Sequence, residues 1–436
     1  CRFGRSPVVM VDRALSPDAL VSELADRVGV SVARLGGPAD AIATIVPAVV
    51  AEPTTPGSVS EILRWAAEGR HTVVLRGGGT QLGGGASPGA IGVLLSTKAM
   101  NAVEAHRHGD LTATVQAGAT LSEINAVLAE HRQWLPLDPP QGSRATIGGI
   151  VATNESGPRR QRHGAPRDLI IGMRLARADG VLARSGGIVV KNVAGYDLAR
   201  LMTGSFGCLG VVLSATFKLA PRAEASRTVS VECPASDMCG AYAADLLAHG
   251  STPTALELAL PPVRMLIRFE SVESVVVQQA DQAVAMALRH GATAAVLRDD
   301  QEAHAWQIHD AQVFDQEDTV VKLVIMPSDL SLMLAWLDAA ARARSLDYRL
   351  IGRAGLGVLY LRLNGAVSQQ AALLLVLRER LPVGRGSAVI QRAGAELKTL
   401  VDVWGSVGDG FPLMQEVKRR FDPKAILNPS LGPGGL

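Results

Sequence analysis

The first two hundred residues alternate between helical and strand periods. Ser16-Pro17-Asp18 reads as a helix start, a hydroxyl cap followed by Pro where its missing N–H costs nothing. Gly29 and the cluster Gly36-Gly37-Pro38 break that pattern, so residues 1–45 read as a short helical extension. From about Ile45 the character changes. Ser58 and Glu61 have the spacing of a capping box, and Val59, Ile62, Leu63 and Ala66 repeat at helical intervals until Gly69. Thr72–Leu75 and Gly92–Leu95 read as buried strands, and Leu111–Gln116 as a half-buried one. Thr120 and Glu123 make a second capping box ahead of Leu121, Ile124 and Leu128. Ala178-Asp179-Gly180 turns the strand Leu169–Leu175 into Val181–Ala183, and Gly210–Leu219 is a long apolar strand ending before Pro221.

The pattern changes near Arg222. Strands at Thr228–Glu232, Ala255–Leu260 and Arg264–Phe269 precede a helix from Val272 to His290. A strand at Thr319–Met326 leads to a helix from Ser328 to Arg344, and strands at Tyr348–Ile351 and Val358–Leu363 lead to a helix from Gln369 to Arg380. This predicts an α+β domain with an antiparallel sheet and helices on one face. The tail, Met414–Leu436, reads as a short amphipathic helix followed by Asn428-Pro429 and a Gly/Pro-rich end. Three segments result: an extension over 1–45, a first domain over 46–222 and a second over 223–436.

With 47% hydrophobic residues the 436-residue chain is not disordered, and with 4% aromatics its cores rest mainly on Ala, Val and Leu. A net charge of +2 argues against nucleic acid as a partner. No apolar run reaches the ~20 residues that a membrane helix needs. Residues 1–30 carry no secretory pattern, and because position 1 is Cys, the natural start is expected upstream. Cys1, Cys208, Cys233 and Cys239 are too few for a disulfide scaffold and form no C-x-x-C pair. They predict reduced thiols and no metal site.

Three segments carry chemistry. Arg76-Gly77-Gly78-Gly79-Thr80-Gln81-Leu82-Gly83-Gly84-Gly85 follows a buried strand. Its glycines let backbone N–H groups close on an anion such as a pyrophosphate. Read alone, it fits a flexible surface loop as well. It is neither a P-loop, since Gly85 stands where Lys must, nor a Rossmann fingerprint, since the spacing fails at Leu82. The second segment runs from Thr146 to Gly157, where Thr146 can cap a helix whose first turn holds Gly148 and Gly149. Such a start offers bare N–H groups to an anion or carbonyl, or its glycines allow close packing. The third is Lys191-Asn192-Val193-Ala194-Gly195-Tyr196-Asp197-Leu198, continuing through Gly204–Gly210.

Together, the three resemble the FAD-binding domain of the vanillyl-alcohol oxidase / p-cresol methylhydroxylase superfamily over about 47–221. Gly157-Pro158-Arg159-Arg160, Gly164, Arg167-Asp168, Gly186–Asp197, Val401–Gly405 and Phe421–Pro429 narrow the resemblance to the FAD-binding subunits of bacterial glycolate oxidases. The resemblance implies a two-lobed p-cresol methylhydroxylase-type FAD-binding domain followed by an α+β cap domain. It implies that Arg76, Gly77, Gly78, Gly79, Thr80 and Gln81 hold the pyrophosphate. Pro139, Thr146, Ile147, Gly149, Thr153 and Asn154 would line the flavin and ribityl chain; Gly210, Val211 and Val212 would lie on the adenine side, and Asn428 in the flavin-side tail. Residues 76–85 contain no His, so FAD is expected without a covalent bond.

The resemblance further implies oxidation of a small 2-hydroxy acid, glycolate or D-lactate. Electrons would pass to a sister flavoprotein subunit and an iron–sulfur subunit in the cytoplasm, at the inner face of the membrane, with membrane association only through partners. Catalytic relatives carry a closely spaced His pair in the cap domain; in the second half of this chain His249, His290, His304 and His309 form no H-x-H pair. No catalytic base is assigned, and a non-catalytic, FAD-bearing assembly subunit is the alternative. Arg159–His163 reads as a charged loop, a carboxylate site or a docking segment for partners, as does the tail after Asn428. Lys191 and Tyr196 either line the flavin or pack structurally. Arg268 and Arg362, on strands, either hold a carboxylate or face solvent; Trp306 and Trp336 read as core.

Overall fold

The computed structural model describes residues 16–86, 88–188, 195–314, 319–381 and 384–436. The first lobe is a four-stranded sheet. Its strands are β1 (Ala33–Leu35), β2 (Val49–Ala51), β3 (Val73–Arg76) and β4 (Val93–Ser96). Their order is β1-β2-β4-β3, with β1–β2 antiparallel and the other pairs parallel. The helix Pro17–Val28 starts at Ser16, whose hydroxyl accepts from Ala19 N. It buries Leu20 and Leu24 against Val59, Ile62 and Leu63 of the helix Pro56–Gly69. The described part of the 1–45 segment therefore joins this lobe's sheet and core. Thr55, not Ser58, caps the second helix: its hydroxyl accepts from Ser58 N, and Pro56 takes the first helical position.

The second lobe is an antiparallel sheet ordered β5-β6-β10-β8-β9. It contains β5 (Val103–Arg107), β6 (Thr112–Gln116), β8 (Ile170–Ala176), β9 (Leu182–Gly186) and β10 (Val211–Lys218), while β7 (Gln133–Trp134) pairs with β11 (Ala220–Pro221) at the domain's exit. The Thr120–Glu123 capping box forms in both directions.

The cap is built on eight antiparallel strands, β15-β12-β14-β13-β17-β18-β16-β19. They span Ala225–Glu232 (β12), Ala255–Leu260 (β13), Arg264–Ser271 (β14), Thr293–Leu297 (β15), Thr319–Val324 (β16), Asp347–Arg353 (β17), Val358–Asn364 (β18) and Ser387–Arg392 (β19). Period-2 alternation gives the sheet two distinct faces. Leu256, Leu258, Ile267, Val321, Leu323, Leu359 and Leu361 pack under the helices Asp237–Ala248, Glu273–Arg289, Leu330–Arg342 and Val367–Arg380. The opposite parity carries Glu257, Arg268, Glu270, Lys322, Arg353, Tyr360 and Arg362. This polar face is not solvated. The helix Asp299–Ala311 covers part of it, with Trp306 in the core beside Leu266, and the FAD-side domain meets the rest through contacts such as Arg353 to Gly157 O. Arg268 and Arg362 are accordingly 8% and 7% exposed, which corrects the solvent-facing expectation. Arg268 lies over Trp306 and donates to Glu302, and Arg362 donates to Gln312 O.

The chain's last segment returns to the first domain. After the helix Phe411–Phe421, Leu427 bridges Val73 in parallel, so the tail adds to the β3 edge. Lys418 anchors the return, donating to Asp422 and to the carbonyls of Cys208 and Leu427. The residues after Asn428 fold onto Cys208, with Leu431 buried, rather than standing out as a docking arm.

Candidate functional site

A cleft of about 910 Å³, open mouth included, runs between the two lobes of the first domain. One wall is the loop after β3. The amide of Gly78 donates to Thr146 Oγ1 at 3.2 Å, so the threonine expected to cap the helix Ile147–Thr153 instead pins the loop to that helix's start. Gly77 and Gly78 are needed for this contact: a Cβ on them would lie 2.1 Å from Thr146 Oγ1 and 1.9 Å from Arg144 O. Two N–H groups at the helix start are also spent, Ile147 on Ala119 O and Gly148 on Ala117 O. The paired glycines therefore serve packing at Gly148, where a Cβ would meet Ala117, while Gly149 lines the cleft.

Asn428 joins the other walls. Its side chain accepts from Leu75 N at 2.8 Å and donates to Phe206 O at 2.6 Å, tying β3 to the loop before β10. Trp404 of the cap meets Phe206 edge to face at 4.9 Å. The far end of the glycine loop touches the cap directly, since a Cβ on Gly83 would lie 3.9 Å from Arg392 Cγ.

Of the residues singled out from sequence, Arg76, Gly77, Gly78, Gly79, Thr80, Gln81, Thr146, Gly149, Thr153, Gly210, Val211, Val212 and Asn428 line this cleft. Pro139, Ile147 and Asn154 do not. Ile147 is fully buried in the second lobe's core. Pro139 is buried in the turn that leads to Gly142. Asn154 ends the helix in the left-handed region at φ 51° and accepts from Arg167 N. Thr97 and Leu431 also line the cleft, brought there by β4 and the returning tail without a local sequence signal. Lys191 lies outside the described residues. Tyr196 is 92% exposed, neither packed nor in the cleft.

The cleft suits a dinucleotide diphosphate. Among the described residues no Asp or Glu lines it, and Arg76 Nε is buried there without a described partner. Arg76 Nη2 donates to Asp40, which also takes Arg34 at 2.7 Å. Those two guanidinium groups, with the Gly37 amide, hold the Asp40 carboxyl far below the usual range.

Where the helix Ile147–Thr153 ends, the chain runs into the cap's polar face. The Tyr360 hydroxyl donates to Glu155, and Lys322 Nζ sits 3.5 Å from the same carboxylate. Arg353 donates to the carbonyls of Ser156 and Gly157 and lies over the Tyr360 ring. Burial opposes the Glu155 charge, yet Lys322, Tyr360 and Arg353 together hold its carboxyl below the usual glutamate range. Burial, reinforced by Glu155, raises the Tyr360 phenol, and burial lowers the Lys322 ammonium. Glu257 pairs with His309 Nε2 at 3.1 Å behind Arg353.

Arg159 bridges the domains. It donates to both oxygens of Glu270 and lies over Trp134. This places it within the molecule, correcting its reading as a docking residue. Burial is the main force raising the neighbouring Asp138 carboxyl to about 7. Cys208, Cys233 and Cys239 are buried and unpaired, and no cluster of three or more potential metal ligands occurs among the described residues. Among the same residues, no helix is long and apolar enough to cross a membrane.

Residues 47–186 match the family described as FAD binding domain, and that part of the chain is an FAD-binding domain. The chain is 28% identical over 419 residues to glycolate oxidase subunit GlcD of Bacillus subtilis (strain 168), covering 88% of each. It is 46% identical over 124 residues to glycolate oxidase subunit GlcE of Escherichia coli (strain K12), covering 28% of this chain and 35% of that one. The fold is that of p-cresol methylhydroxylase, whose substrate-bound crystal structure aligns with a TM-score of 0.74 at 14% identity, covering 95% of this chain and 96% of that one.

Proposed function

We propose that this FAD-linked oxidoreductase acts on the CH–OH group of a small 2-hydroxy acid, such as glycolate or D-lactate, as one subunit of a larger complex. The observation that carries the reading is the junction between a carboxylate-free dinucleotide cleft and a cap face bearing Lys322, Arg353 and Tyr360. The loop Arg76–Gln81, Thr146, Gly149, Thr153, Gly210–Val212 and Asn428 would hold FAD. When bound, the flavin supplies a two-electron acceptor. Among the described residues no His, Cys or Tyr lines the cleft, which supports noncovalent attachment.

This chain's own residues would bind and orient the acid. Lys322 Nζ, 3.5 Å from Glu155, would be the cation that this face offers to a substrate carboxylate. Glu155, ionised and hydrogen-bonded to a phenol, is the acid–base element this face offers for the hydroxyl proton. The described thiols are buried and form no cluster, which supports electrons leaving through a sister flavoprotein and an iron–sulfur subunit. The similarity to two differently named subunits of glycolate oxidase supports the same assembly.

One observation favours a second reading. Glu155 is already engaged by Tyr360 and Lys322, and Arg353 by two carbonyls. A cluster so self-satisfied suits an FAD-bearing assembly subunit whose sister chain does the oxidation. Anaerobic mixing of the purified flavoprotein with glycolate and with D-lactate decides between them. Bleaching of the flavin in a single turnover supports the first reading; a flavin that stays oxidised with every 2-hydroxy acid supports the second.

A further inference from the structure

One cation at the glycine loop comes from the other domain. Lys398, on the cap helix Ala395–Leu400, donates to the carbonyls of Gly83 and Gly85 at 2.9 and 3.0 Å. Its surroundings differ from those of the other cations nearby. Arg76 is committed to Asp40, and Arg392 turns its guanidinium over the Phe314 ring at 5.2 Å. Lys398 makes no ion pair with a described carboxylate, and burial alone pulls its ammonium below the usual lysine range. A partly desolvated charge held only by carbonyl dipoles lacks its counter-ion. The loop it grips borders a cleft that no described Asp or Glu lines.

We propose that Lys398 is a cofactor-positioning residue, which fixes the far end of the glycine loop and supplies, from the cap, positive charge that balances the bound diphosphate. The inference rests on the FAD reading. The cleft is then completed across the domain boundary, and cofactor affinity depends on the cap being docked.

The test is calorimetric titration of the flavin-free full chain with FAD at several salt concentrations, on wild type, Lys398→Gln, Lys398→Met and Lys398→Arg. Gln keeps an N–H donor for the loop carbonyls but removes the charge. Expected are FAD affinities at least tenfold weaker for Gln and Met, within about threefold of wild type for Arg, and a shallower salt dependence for Gln. Thermal melts confirm that each variant is folded. Wild-type affinity in Lys398→Gln overturns the proposal. So does equal weakening in all three variants with an unchanged salt dependence, which marks a purely scaffolding role. A wild-type chain that binds no FAD overturns the FAD reading itself, a result distinct from either.

Discussion

Arg159 of the FAD-binding domain donates through Nε and Nη2 to the two oxygens of Glu270 on β14, at 3.0 and 2.7 Å. The pair is bidentate and largely shielded, with side chains 22% and 15% exposed. Removing one partner leaves the other charge in a poorly solvated junction. Arg159→Ala should therefore cost about 3 kcal/mol of stability, measured by urea unfolding. In a double-mutant cycle with Glu270→Gln the two losses should fall well short of adding. Additive losses would show that the pair does not couple the domains.

Gly78→Ala should weaken FAD binding by displacing the loop. The added Cβ would lie 1.9 Å from Arg144 O, inside any tolerable contact. The backbone must shift, and the Gly78–Thr146 hydrogen bond is lost with it. The expected drop in FAD affinity is about a hundredfold, ~3 kcal/mol. Calorimetry measures it, while circular dichroism should show the fold retained. Undiminished affinity would remove this loop from the site.

Asp138 gives the junction a pH dependence of defined sign. Burial raises its folded carboxyl to about 7, above an unfolded value near ~3.9. Its protonated form is therefore favoured in the folded chain, and its stabilising contribution is complete below pH ~4. That contribution falls as pH rises toward 7, at up to ~1.4 kcal/mol per unit. Asp138→Asn should flatten the unfolding free energy over this window. Glu155 has the opposite sign: held below the usual range, it stabilises above pH ~4.3 and loses that contribution as the solution is acidified further.

Acid precipitation of the purified flavoprotein should leave a yellow supernatant and a colourless pellet, because no described His, Cys or Tyr side chain lines the cleft to carry a flavin bond. Flavin retained in the pellet would refute noncovalent attachment.

Much of this architecture is legible where a local signal fixes a local structure. Ser16 with Pro17, and Thr120 with Glu123, name their helix starts because cap and first turn are adjacent in sequence. The Thr55–Ser58 pair misleads, since both hydroxyls lie near the start of the same helix and only the position of Pro56 shows that Thr55 precedes it while Ser58 is already in its first turn. The helix Asp299–Ala311 escapes detection because it is polar nearly all round. Alternation along β14 and β18 shows that Arg268 and Arg362 lie on the face opposite Ile267 and Leu361, but parity cannot say that the cap's own helix Asp299–Ala311 and the residue after it cover them. Ile147 and Asn154 sit at the two ends of the helix that carries the cleft-lining Gly149 and Thr153, and one-residue steps along a helix change which face a side chain occupies. Thr97 and Leu431 reach the cleft, and Lys398 the glycine loop beside it, only through tertiary folding, which leaves no mark on nearby residues.

The return of the tail to β3 has a consequence for how the protein is made. Val73 donates to Ile426 O and accepts from Asn428 N, and Asn428 then ties Leu75 to Phe206. Every other wall of the cleft is synthesised more than two hundred residues earlier. A nascent chain still held by the ribosome short of residue 428 has the glycine loop and both lobes, but not the link that sets their spacing. Flavin capture thus becomes a late event that follows translation of the entire cap, and a chain truncated before this point should leave the ribosome unable to load its cofactor.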